Sequence, residues 1–322
     1  MRRRATLLGL GALAALPARG QDAWPGRPIR LIVPFAPGAS SDTLARLITA
    51  RAAGPLGAGF VIENRAGAGG LLAAQYVARA APDGTTLLWG GGTAITHAVI
   101  QANPGYDVLR DFTPVIVIVE HPAVLAVRTA SPFADIAGLL AAAKRARGGL
   151  RYGSGGVGTP AHMAAAAMLR LVGAEGIHVP YRGANQATLA VEQGEVDFAF
   201  AISNIALPRH QQGAVRILVT AGARRMSALP QIPTLAETVP GGPVVTSTSS
   251  VVGPAGLPEP IAGRLHAAFH EAVTGDAELR ASLTAEGGDI TLSESPAAYA
   301  MAWEGELRRL QELVRLSGAR VE

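Results

Sequence analysis

Short apolar runs alternate with amphipathic stretches along most of this chain. Ile29–Val33 reads as a buried strand; it runs into residues 34–41, and Asp42 opens a helix with Leu44, Leu47 and Ile48 on one face. Residues 60–63 read as a strand, 64–70 as a glycine loop and 71–80 as a helix, and a further strand over 85–89 ends in 90–93. The runs 115–119 and 124–127 are continuous β-type segments separated by Glu120, His121 and Pro122. The plan then repeats. A helix over 131–147 leads to a strand over 150–152, a glycine loop over 153–160 and a helix over 161–171. Strands over 176–179 and 197–202 flank a helix over 185–193, the strand 215–220 carries the chain back, and 258–273 and 296–317 are helical by periodicity.

Strands alternating with helices predict α/β architecture with mainly parallel strands. About 300 residues exceed the usual size of one core, so two lobes are expected. The expected division is a lobe from 24–125 plus 220–322, a second lobe from 126–219, and two crossover strands between their central sheets with a cleft between the lobes. Ligands of open α/β sheets bind beyond the carboxyl ends of the strands, which gathers the loops 36–42, 90–97, 153–162 and 201–204 at that cleft.

The first 23 residues stand apart. Arg2, Arg3 and Arg4 precede an apolar stretch over 5–18, too short for the roughly 20 residues of a membrane span, and small residues follow. This predicts a cleaved export signal and a periplasmic location. The signal also changes the charge argument. The chain has 28 basic and 24 acidic residues; removing Arg2, Arg3, Arg4, Arg19 and Asp22 leaves 24 against 23. The mature protein is near neutral, with no basic stripe and few aromatics, so nucleic acid is not an expected partner. Without cysteine there are no disulfides and no thiolate metal sites.

The candidate chemistry lies in the loops. A loop entering a helix leaves free backbone N–H groups, and the helix dipole favours an anion there. Gly38 allows close backbone approach, and Ser40 and Ser41 add hydroxyls. Gly153, Gly155 and Gly158 match a dinucleotide fingerprint, but Glu175 precedes the next strand instead of ending it, and the same N–H groups with Ser154 or Thr159 suit a simple anion better. Glu63 and Arg65 read as a structural polar pair. A serine hydrolase would need Ser40 or Ser41 with Asp42 and one of His97, His162 or His178, and no nucleophile elbow surrounds either serine. His266 and His270 have metal-ligand spacing on a helix, but Ala267 stands where a zinc protease has Glu, so they read as histidines on a solvated face. No cofactor and no metal are expected.

These segments together resemble the Bug-type (TctC-like) solute receptors of tripartite tricarboxylate transporters. The first lobe carries WPGRPIRLIVPFAPG at 24–38 with Asp42, VIENRAGAGG at 61–70, APDG at 81–84, His97, Tyr106 and Asp107, and DFTP at 111–114. The second carries YGSGG at 152–156 with His162, HVPY at 178–181 with Gly183, and GEVD at 194–197; LPQIPT at 229–234 and GPAG at 253–256 follow. The resemblance implies a periplasmic binding protein of type II, a monomer whose lobes close on a small organic anion, usually a carboxylate, and which partners membrane transporter subunits. It implies ligand contacts at Ala36, Gly38, Ser40, Ser41 and Asp42, with Thr93 and His97 behind them, and at Ser154, Gly156, Thr159, His162 and Tyr181 opposite. Asp42 is expected to cap and fix its loop, since a carboxylate facing another would repel it. The alternatives are a ligand receptor for a signalling protein, or an exported serine hydrolase. Two departures bear on the pocket. Ala201 and Ile202 replace a polar pair after the strand that holds Phe198 and Phe200, and Ser249–Val251 stand in place of an aromatic. The first removes an acidic group and predicts a site that disfavours amino acids.

Overall fold

Apolar runs flanked by glycine and proline become the strands of this α/β protein, and the amphipathic stretches become the helices laid against them. The structure, a computed structural model, describes residues 24–318; the export signal falls outside the described residues. The chain opens with β1 (Ile29–Val33), α1 (Ser40–Leu56), β2 (Phe60–Asn64), α2 (Leu71–Ala78), β3 (Thr86–Trp89) and α3 (Gly92–Ile100). The long β4 (Phe112–Arg128) leads to α4 (Ile136–Arg145), β5 (Leu150–Ser154), α5 (Pro160–Leu171), β6 (Gly176–Pro180), α6 (Ala184–Gln193), β7 (Phe198–Ile202), α7 (Ser203–Gln211) and β8 (Val215–Thr220). Then come α8 (Leu235–Thr238), β9 (Thr246–Pro254), α9 (Glu259–Thr274), α10 (Ala277–Ala285), β10 (Asp289–Ile290) and α11 (Pro296–Ser317).

The strand order is β2-β1-β3-β9-β4-β7-β5-β6, with β8 and β10 also on β4. β1 pairs in parallel with β2 and β3, and β5 with β6 and β7. All partners of β4 are antiparallel: its first half takes β9 and β10, its second half β7 and β8. Parallel triplets at both ends require helices on the sheet faces, which explains why the inner strands β1, β3 and β7 are almost wholly buried, while the outer β2 and β6 are more exposed.

Three findings differ from the sequence expectations. β4 is continuous through Glu120, His121 and Pro122, the expected break. Pro122 lacks an N–H, but its neighbours maintain the ladder to β9, with register shifts at Pro114/Ile116 and Val117/Val119. Val215–Thr220 does not carry the chain back, because it stays beside the second half of β4. The return is made at Val245, which accepts from the Ala123 N–H and donates to the Ala221 carbonyl, and then by β9. Helices α3 and α7 also stand where only loops were expected.

Apolar packing divides the same way. Ile29, Leu31, Ile48, Leu87, Val119, Leu265 and Phe269 are fully buried in one cluster, and Leu125, Leu139, Met163, Met168, Phe198 and Phe200 in another. The last helix belongs to both ends of the molecule. Tyr299 and Trp303 pack with Val108, Phe112 and Leu88, while Leu313 joins Met168, Phe200 and Leu139. Trp303 Nε1 donates to the Val108 carbonyl at 3.0 Å.

Candidate functional site

A cavity of about 390 Å³ opens where the helix starts converge. Gly92 and Thr93 at the start of α3, Thr159, Pro160 and Ala161 at that of α5, Ala184 of α6 and Ile202 before α7 all line it. Phe35, Ile100 and Val157 supply apolar wall, and Thr96, Thr246, Ser247 and Thr248 add hydroxyls. A recess of about 560 Å³ lies beside the start of α1, lined by Gly38, Ala39 and Ser40 with Asn185 and Asn204 opposite. The four loops gathered by the carboxyl-end rule therefore all border this cavity or the recess.

The predicted residues separate into groups. Thr93, His97 and Thr159 line the main cavity, and Gly38 and Ser40 the recess. His97 is held from behind: Nε2 faces the Gly69 carbonyl at 3.1 Å and Nδ1 the Gln101 amide at 3.1 Å. Ala36 is exposed and accepts from the Ala39 N–H, while Ser41 is half-buried. Tyr181 points away, its hydroxyl donating to Glu195 at 3.1 Å.

Asp42 shapes the first loop without beginning the helix. α1 starts two residues earlier, at Ser40, so Asp42 occupies its first turn, and its side chain reaches back to accept the Gly38 N–H at 2.9 Å. The same carboxylate accepts from Asn64 at 2.8 Å and pairs with Arg46 at 3.0 Å. Arg46 above all, helped by Gly38 and Asn64 against the cost of burial, holds the carboxyl down at about 2. Gly38 itself has φ +80°, a left-handed turn that a side chain would strain.

The second glycine loop is supported from below. Ser154 is fully buried; its hydroxyl donates to the Gly156 carbonyl at 2.9 Å and accepts from the Gly156 N–H at 3.2 Å. His178 Nε2 lies 2.7 Å from the same oxygen, which saturates it. Thr159 caps α5, accepting from the His162 N–H at 3.3 Å and donating to the Gly156 carbonyl at 2.8 Å. His162 Nδ1 accepts from the Gly158 N–H at 3.1 Å, and its ring stacks on His178 with centroids 3.9 Å apart. Burial, reinforced by His162, pushes His178 down to about 4, so the stacked pair is neutral near pH 7. Ser154, Gly156 and His162 thus hold the loop's shape from within it.

Neither Ser40 nor Ser41 has a histidine partner among the described residues, so the hydrolase constellation does not assemble. Glu63 and Arg65 do form an ion pair at 2.6 Å, shared with Arg30. His266 is buried and hydrogen-bonded at 2.7 Å to the Ser293 carbonyl, so it does not stand on a solvated face.

Sequence reasoning missed the cavity's charged group. Glu306 of α11 lines the cavity beside Thr248, so an acidic residue borders the site after all, although Ala201 and Ile202, at the end of β7, replace the expected polar pair. Burial pushes this carboxyl up to about 7. Only a helical period marked its segment, with nothing to say which face met the cleft.

The profile described as "Tripartite tricarboxylate transporter family receptor" matches residues 44–318. The chain belongs to this receptor family. A UPF0065 protein from the tcbD-tcbE intergenic region of Pseudomonas sp. strain P51 is 34% identical, with 97% of this chain and 94% of that protein aligned. Among solved structures, Rpa4515 of R. palustris with adipate has a TM-score of 0.78 at 32% identity, covering 92% of this chain and 99% of that one. MatC from Rhodopseudomonas palustris with bound malate has a TM-score of 0.73 at 32% identity, covering 90% and 100%. The transporter receptor family is one of periplasmic solute receptors, and this member has its fold. No helix among its described residues is long and apolar enough to cross a membrane.

Proposed function

We propose that this chain is an exported receptor that captures a small organic anion, a carboxylate, between two lobes, the second running from about 126 to the crossing at Val245. It delivers the closed complex to a tripartite tricarboxylate-type transporter in the membrane. One observation carries the reading. The cavity gathers the starts of α3, α5 and α6 and the residue that precedes α7, while among the described residues no Lys or Arg lines it. Helix N-termini supply N–H donors and positive potential together, so an anion can be held without a charged partner. Phe35, Ile100, Val157 and Ile202 leave room for a hydrocarbon body, which favours an organic acid over a bare inorganic ion. The malate and adipate bound by the two R. palustris relatives support this class.

A ligand touching both sides favours the closed form by its differential affinity, so binding and closure are one equilibrium. The test is calorimetric titration of residues 24–322 with adipate, malate and longer organic acids. Thr93→Val removes a hydroxyl that forms no hydrogen bond among the described residues and keeps the shape. It should weaken the best-binding acid by roughly 5- to 20-fold, as expected for one hydrogen bond to a charged group, without moving the melting temperature. No binding of any acid by folded, ligand-free protein would overturn the proposal.

A further inference from the structure

We propose that Glu306 contacts the ligand and selects dicarboxylates, entering the closed site as the neutral acid and donating a hydrogen bond to the ligand's second carboxylate. This deepens the proposed function and rests on it. Glu306 lies midway along α11, between Trp303 in one apolar cluster and Leu313 in another, and its carboxyl meets the start of α3. A Cβ added at Gly92 would fall 2.9 Å from Oε1, so the absence of a side chain there makes room for the carboxyl. Its recorded hydrogen bond is a long one, 3.4 Å from Thr248 Oγ1, and among the described residues it forms no ion pair. It therefore retains capacity for a partner in the cavity. A pocket of about 40 Å³ shares Thr96, Pro160, Thr246 and Glu306 with the main cavity and contains Arg309.

The charges around Glu306 set its state. Burial above all disfavours ionisation, and Glu120 of β4 acts in the same sense; Arg309, one turn along α11, favours it but does not prevail. Tyr299 on the same helix is buried and kept neutral, and Arg224 and Asp289 act on Glu120 in opposite senses. A dicarboxylate with one end at the helix starts brings its other end toward this carboxyl. Two carboxylates in contact repel, whereas an acid donating to a carboxylate forms a short, strong hydrogen bond. Above neutrality the complex must therefore take up a proton from solvent on Glu306, with no covalent change.

The experiment is calorimetric titration of residues 24–322 at pH 6.5 and 8.5. The probes are adipate, hexanoate as its one-ended counterpart, and glutamate. Each titration is repeated in two buffers of different ionisation heat to count protons. Adipate should bind more tightly than hexanoate, roughly 10-fold or more weakly at pH 8.5 than at 6.5, with close to one proton taken up at the higher pH. Glu306→Gln, which imitates the neutral acid, should keep adipate affinity but lose its pH dependence. The proton count on the unaltered protein serves as a readout that needs no variant. Equal adipate affinity at both pH values with no proton uptake overturns the proposal, as does hexanoate binding alone. A preference for glutamate that strengthens with pH also overturns it, because Glu306 would then be an ionised partner for ammonium. If none of the three acids binds folded protein, the carboxylate-receptor reading fails first and this proposal with it.

Discussion

Asp42 shows how one side chain can set the shape of a whole loop. Its carboxylate joins the turn at Gly38, the strand end at Asn64 and the helix at Arg46, and is itself almost wholly buried. Because its folded pKa, about 2, lies below the ordinary 3.8, its contribution to stability is present above pH 3.8 and lost as the pH falls toward 2. Asp42→Asn should therefore lower the unfolding free energy by about 1–2 kcal/mol at pH 7, the half-exposed Arg46 reducing the effect through solvent screening. Urea unfolding at pH 7 and at pH 2 measures it, and the difference between the two proteins should shrink to a few tenths of a kcal/mol at about pH 2. The loop's role was legible from Gly38, Ser40 and Asp42 because turn chemistry is local. The buried state of Ser154 was not, since the His178 that saturates it lies 24 residues away on β6.

At the level of elements, strands were easier to read than the helices of the site. β1, β3 and β7 are short apolar runs between turn residues, and their sequence limits lie within a residue of those observed. α3 and α7 were hidden for physical reasons. α3 begins after Gly91 with no side-chain cap and holds two threonines, two isoleucines and a valine, residues that suit strands as well. α7 starts after Ile202 and contains Pro208, which usually breaks a helix. α11 announced itself by length, and its importance lies in where it packs. Trp303 is 2% exposed, touches Phe112 and Tyr299, and stands where a side chain on Gly91 would collide with it. Trp303→Ala should cost about 3–5 kcal/mol, through lost contact and the cavity left behind. Urea unfolding at pH 7 checks the value; a loss below 1 kcal/mol would mean the helix re-seats.

For the whole molecule, alternation of strand and helix was enough to give the α/β class, and the rule about strand ends was enough to bring the four loops to one place. Neither could supply the cavity's far wall. Thr246, Ser247 and Thr248 come from β9 and Glu306 from α11, both about 90 or more residues after the glycine loop they face, and no local pattern carries that pairing. The crossing at Val245 was missed for the same reason, because β8 looks like any other apolar strand until β4 takes it as a partner.

The span of α11 across two separate apolar clusters has a thermodynamic consequence. A chain folded around two cores joined by ordinary linkers can melt in two steps, each core at its own temperature. Here Tyr299 and Trp303 lie in one cluster and Leu313 in the other, on one uninterrupted helix, so freeing either end strips packing from both. Scanning calorimetry of residues 24–322 should therefore show one endotherm, with calorimetric and van't Hoff enthalpies in agreement. Two resolved endotherms would mean that the helix can let go of one core while holding the other.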